Sequence, residues 1–152
     1  MGYRTVDEWE NFSFKDAGII KIQEENGHVF MTLAYVTILG NNSCNRDICD
    51  MGTNQLELKL QNATDISLVL EGFKSYDADG NLKGQEEDTV IFEPDRANAY
   101  RDLENSAIYS ATKQGNQYHF YIDTEERTYA FQLTAEHDVE EWERFMKREA
   151  GY

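Results

Sequence analysis

The sequence predicts a mainly β (α+β) fold: an antiparallel barrel or strongly curved sheet of about seven or eight strands in hairpin order, capped by one C-terminal amphipathic helix. Three observations carry this. Apolar and polar residues alternate over Leu56–Gln61, 118–123 and 128–133, the period of a strand with one face in the core and one in water. Turn-forming residues separate such runs at short intervals. From Asp138 onward the apolar spacing becomes that of a helix.

In chain order, residues 1–14 read as a short helical or extended segment, with Val6, Trp9 and Phe12 three residues apart. The β-rich body covers residues 19–133. Its first hairpin turns at Glu24-Glu25-Asn26-Gly27, because Asn and Gly both tolerate positive φ between apolar runs. The run over residues 28–39 is apolar on both faces, with Val29, Met31, Leu33 and Tyr35 opposite Phe30, Ala34, Val36 and Ile38, which places it near the middle of the structure. Residues 40–52 form a loop. Strands follow at Leu56–Gln61 and around Ile66, Leu68 and Leu70, then a turn over 76–82 and a strand over 89–92. Residues 94–105 suit either a loop or a short helix. The two alternating runs joined by Thr124-Glu125-Glu126 should be antiparallel neighbours. The helix then spans residues 135–148. Asp138 and Glu141 have capping-box spacing, Val139, Trp142 and Phe145 or Met146 make one apolar stripe, and Lys147 and Arg148 suit the negative end of the dipole. No repeat and no composition shift divides residues 1–152, so the chain reads as a single domain.

Residues 118–145, two alternating strands and a helix with Trp142 at its middle, resemble the ending of pleckstrin-homology domains. The resemblance covers about a fifth of the chain and implies shape only. Members of that family that bind phosphoinositides use basic residues in the first hairpin, and that turn here carries Glu24 and Glu25.

The charge restricts function further. Twenty-nine acidic side chains stand against 14 basic ones, for a net charge of -15. The excess is spread through the chain, -5 over residues 1–76 and -10 over residues 77–152. Such a field repels phosphate backbones and anionic lipid, so neither nucleic acid nor a membrane surface is expected as a partner. It accommodates a cationic protein, and it also serves solubility. No stretch approaches the roughly 20 apolar residues of a membrane span. The N-terminus lacks the apolar core of a signal peptide, which makes the cytoplasm the expected compartment.

Motifs of chemistry are sparse. Cys44 and Cys49 have neither a second cysteine pair nor a histidine pair to complete a zinc site, and His28, His119 and His137 are scattered, so free loop cysteines are expected. Asp77-Ala78-Asp79-Gly80-Asn81 puts glycine too early for a calcium loop and suits a tight turn instead. There is no nucleophile elbow, no Cys/His pairing and no phosphate-binding glycine loop. No catalytic residue, metal ligand or cofactor is therefore assigned.

The function expected from these features is a non-enzymatic acidic binding module that engages a basic protein partner, in an immunity- or inhibitor-type role. The candidate partner-binding residues are Glu86, Glu87 and Asp88, with Glu140, Glu141 and Glu143 on the outer face of the terminal helix. Trp9 joins them, since a tryptophan in an acidic N-terminal segment either plugs a barrel end or serves an interface. The alternative is a small-molecule-binding barrel or an unrecognised hydrolase with a barrel-end cavity, although core packing fully explains the aromatic alternation.

Overall fold

The computed structural model describes residues 2–47 and 49–147, the side chain of Lys147 excepted. Strand accounts for 55% of it, with one α-helix. The first half holds β1 (Tyr3–Val6), β2 (Phe12–Ser13), β3 (Gly18–Glu25), β4 (His28–Ala34), β5 (Thr37–Ile38), β6 (Met51–Gly52), β7 (Leu56–Gln61) and β8 (Thr64–Leu70). The second holds β9 (Phe73–Tyr76), β10 (Leu82–Glu86), β11 (Thr89–Ile91), α1 (Asp95–Asp102), β12 (Ala107–Gln114), β13 (Gln117–Asp123), β14 (Thr128–Thr134), β15 (His137–Trp142) and β16 (Met146–Lys147).

Ten strands form one antiparallel sheet in the order β1-β15-β7-β4-β3-β12-β13-β14-β8-β11. It is neither closed nor strongly curled, which overturns the expected barrel. Closure requires the first and last strands to pair, whereas β1 pairs with β15 and β11 with β8, leaving both edges open. The hairpins written into the turns do form: β3 pairs with β4 across Asn26 (φ 53) and Gly27 (φ 80), and β13 pairs with β14. The long-range neighbours β7–β15 and β3–β12 complete the sheet.

The C-terminal helix is a second correction. Residues 137–142 are a strand, paired residue by residue with β7 from His137↔Gln61 to Trp142↔Leu56 and with β1 on its other side. The helical stripe of Val139 and Trp142 is split between the two faces of this strand, and Asp138, Glu140 and Trp142 share one of them. With two acids among the three, that face does not look apolar. Arg148 lies outside the described residues.

The run over 28–39 is apolar on both faces for a different reason from centrality alone. It breaks at Tyr35, held at φ 62, and residues 37–38 pass into a small sheet of order β16-β6-β5-β2. Leu33 and Ile38, from the two sheets, are both fully buried.

The core lies on the inner face of the large sheet, where Leu56, Leu58 and Leu60 of β7, Met31 and Leu33 of β4, Phe120 of β13 and Phe131 of β14 are buried. Each such side chain contributes about 1.5–3 kcal/mol by leaving water. Trp9, in a single 3-10 turn (Trp9–Asn11), packs over it against Phe14 and edge-on to Tyr118 and Phe120. The ambiguous segment after Pro94 is α1, with Asp95 in its first turn and Arg101 in its last, as the dipole favours. It buries Ala99 and Tyr100, and the Tyr100 ring meets Phe131 edge-on at 5.6 Å. Arg96 grips Glu24 of β3 through two bonds of 2.8 and 3.0 Å, and the Tyr100 hydroxyl donates to the same carboxylate at 2.6 Å.

Candidate functional site

Two regions concentrate polar chemistry: the end of the β8–β11 hairpin, and the inner face of β15. β8 and β11 pair up to Leu70↔Thr89, and β9 and β10 resume the pairing at Phe73↔Glu86. The four strands are thus one long hairpin interrupted at residues 71–72 and 87–88. Gly72 permits the interruption. A Cβ there would lie 2.2 Å from the Glu86 carbonyl oxygen and 2.9 Å from the Asp88 nitrogen, so only glycine fits. The Asp88 carboxylate accepts the Gly72 N–H at 2.6 Å and fixes the crossing.

Beyond the crossing, β9 and β10 pair with each other in a sheet of their own and project as an arm. Its tip is the turn expected from Asp77 to Asn81, where the Asp77 carboxylate accepts the N–H groups of Asp79 and Asn81, both at 2.9 Å, and Gly80 sits at φ 83. Arg127 clamps the base. Its guanidinium lies 5.1 Å from the Phe73 ring centroid, donates to the Glu71 carbonyl at 2.7 Å and pairs with Glu86 at 2.9 Å. The arm exposes Phe73, Tyr76 (58%) and Leu82 (54%), and Val90 and Phe92 (69%) are exposed just after it. Residues 71–93 hold seven acids against two lysines. Exposed apolar groups among carboxylates mark this end of the molecule.

The second region is buried. Asp138 and Glu140 point inward from β15 with no exposure at all. The Asp138 carboxylate accepts from Lys113 at 2.9 Å and from the Tyr118 hydroxyl at 2.8 Å, and Glu140 accepts from the Thr5 hydroxyl at 2.8 Å. Asp138 Oδ2 and Glu140 Oε2 find no other partner among the described residues. Two ionised carboxylates could not satisfy each other, but one proton held by Glu140 and donated to Asp138 satisfies both. Burial, then that hydrogen bond and the charge of Asp138, push the Glu140 carboxyl up to about 10. Burial also works against ionised Asp138, but the hydrogen bonds from Glu140, Lys113 and Tyr118 outweigh it and hold Asp138 below the usual carboxylate range. Burial and the bond to Asp138 push the Tyr118 hydroxyl up. With no exposed face, the pair has no route to a substrate and serves the fold.

The residues singled out in the sequence fall into both regions. Glu86, Glu87 and Asp88 are exposed at the base of the arm. Glu141 and Glu143 are exposed near the opposite edge of the sheet, where they line an open groove of about 1150 Å³ with Tyr3, Arg4, Glu57 and Arg144. Arg4 pairs with Glu141 at 3.2 Å, so this groove carries both signs of charge. Glu140 is buried, and Trp9 is buried at 7% exposure in the core, so neither is presented to a partner. The two acid groups are not brought together. Phe73, Tyr76, Leu82 and Phe92 were not legible as site residues, since a large apolar side chain near a strand is by default core material. The one signal was their flanking by acids and turn residues on both sides.

Cys44 and Cys49 are free thiols in the loop expected over 40–52, which ends at residue 50 because Met51–Gly52 form β6. No group of His, Cys, Asp or Glu among the described residues is arranged to hold a metal ion, and no helix among them is long and apolar enough to cross a membrane. Compared with protein-family models, curated proteins and solved structures, the chain matches none of them. The resemblance to the ending of pleckstrin-homology domains fails on its own terms, because a strand stands where the helix was expected.

Proposed function

We propose that the protein is a non-enzymatic acidic binding module that engages a basic protein partner through the β9–β10 arm and the acids at its base, an immunity- or inhibitor-type role. One observation carries this reading: an arm that, among the described residues, strand-pairs only with itself exposes Phe73 beside Glu86, Glu87 and Asp88 at its base and Tyr76 and Leu82 beside Asp77 and Asp79 at its tip. Apolar anchors among charges that are mostly acidic, seven carboxylates over residues 71–93 against Lys74, Lys83 and the clamping Arg127, supply the two components of a protein interface, a desolvated centre and a steering field. Carboxylates throughout this region favour Lys- and Arg-rich surfaces, and the net charge of -15 disfavours a second copy of the same chain. Without a closed barrel there is no barrel end to form the cavity of the alternative reading.

Affinity capture from native lysate at low ionic strength, followed by stepwise salt elution, tests the proposal. A basic protein released at moderate salt is the expected result. An empty bait at low salt would count against it.

A further inference from the structure

We propose that the partner's contact segment adds as a strand along β11, extended, apolar at its centre and flanked at both ends by Lys or Arg. The inference rests on the acidic-module reading and specifies how the partner docks. β11 ends the ten-stranded sheet, so its outward N–H and C=O groups have no strand beyond them among the described residues. Native edges are commonly protected by lysine, proline, a bulge or an overlying element. Thr89, Val90 and Ile91 carry no such charge or proline, their pairing with β8 runs without a shift of register, and although α1 contacts β11, Thr89 and Val90 stay exposed.

Side chains around this edge complete the case. On the face opposite the core, Tyr121, Ala130, Val69 and Val90 lie in register across β13, β14, β8 and β11. The row is apolar and reaches the edge at Val90, which is 48% exposed. A strand added beside β11 would extend that row with an apolar residue of its own. Acids stand at both ends of the same edge: Glu86, Glu87 and Asp88 precede it, and Glu93 and Asp95 follow it, all exposed. Arg127 pairs with Glu86 and Arg96 with Glu93, which leaves Glu87 and Asp88 at one end and Asp95 at the other in excess, so an incoming segment meets apolar surface at its centre and net negative charge at each end. The other open edge, β1, is unlike this. Arg4 stands in it, already paired with Glu141. A second copy of this chain would set the acids flanking β11 against each other, so the occupant is a basic peptide segment.

The test uses the full chain and a short synthetic peptide with an alternating Val/Thr centre and paired lysines at each end. Two controls accompany it: the same peptide N-methylated at alternate central amides, and one with glutamates in place of the lysines. Binding is read by NMR with amide hydrogen exchange. The expected result is slowed exchange confined to residues 89–92, no binding of the glutamate peptide, and an affinity about tenfold weaker for the N-methylated peptide, the loss of one or two hydrogen bonds. Equal binding of the methylated peptide, protection elsewhere, or no binding would overturn strand addition. So would protection of residues 89–92 that grows with protein concentration in the absence of peptide, because the edge would then belong to a second copy. Capture of a basic protein from lysate alongside any of these failures would leave the acidic-module reading standing and remove only its docking geometry.

Discussion

Glu140 sits with no exposed surface on a strand whose inward register partner is Leu58, and it keeps its proton because water cannot reach it and Asp138 is already charged. In the unfolded chain the same carboxyl titrates near ~4.3. Between that value and about 10 the folded state holds a proton that the unfolded chain has released, so stability falls as pH rises through this window. Glu140→Gln removes the titration. Urea denaturation at several pH values should show a shallower alkaline decline for the variant than for the parent, and identical slopes would contradict the shared proton. Asp138, Glu24 and Glu8 act in the opposite sense. Burial alone would raise all three, but their hydrogen bonds hold them low: Glu140, Lys113 and Tyr118 for Asp138, Arg96 and Tyr100 for Glu24, Ser43 and Asn11 for Glu8. Their stabilisation is present above roughly pH 4 and is lost as pH falls through the folded values. Trp9→Ala should cost about 3–5 kcal/mol by equilibrium unfolding, the range of a buried aromatic truncation. A neutral effect would mean that Trp9 lies outside the core. None of these roles was legible from residue type. Carboxyl groups are rarely fully buried, so Asp138 reads as a helix cap and Glu140 as surface, and what reverses that reading comes from Thr5, Lys113 and Tyr118, distant in sequence.

At the scale of the element, legibility followed turn chemistry. Asn26-Gly27 and Asp77–Asn81 form the turns that their residues demand, because positive φ and local carboxylate acceptors are properties of a few consecutive residues. The strands of strict alternation, β7, β13 and β14, stand where the period placed them. β15 does not announce itself, since its inward face reads Asp, Glu, Trp and its acids imitate the polar side of a helix. The kink at Gly72 was equally invisible, because the need for glycine comes from the backbone of residues 86–88 lying against it. Gly72→Ala should destabilise by about 2 kcal/mol through overpacking and should loosen the crossing that aims the arm. Thermal unfolding together with exchange of the β9 and β10 amides would show both effects, and an unperturbed arm would contradict the contact. Glu24→Gln weakens the charge-assisted bonds from Arg96 and Tyr100 that pin α1 to β3. A loss of about 2 kcal/mol in urea unfolding is expected.

For the whole molecule, charge was legible and strand order was not. Net charge is a sum over residues and needs no structure, whereas β3–β12, β7–β15 and β8–β14 join segments far apart in the chain, and no local pattern specifies them. The same gap separated the acid groups: Glu86, Glu87 and Asp88 lie beside β11 and Glu141 and Glu143 at the end of β15, near opposite edges of the sheet, so they do not form one surface. Association steered by such a field should slow steeply with ionic strength as the Debye length shortens from about 30 Å at 0.01 M to about 8 Å at 0.15 M. The most direct measurement is a side-by-side low-salt capture from native lysate by the intact chain and by a folded Tyr76→Ser, Leu82→Ser, Glu87→Lys variant, all three sites being exposed. A basic protein retained by the intact chain and lost from the variant is the expected result. Equal retention by both would contradict the arm as the docking site.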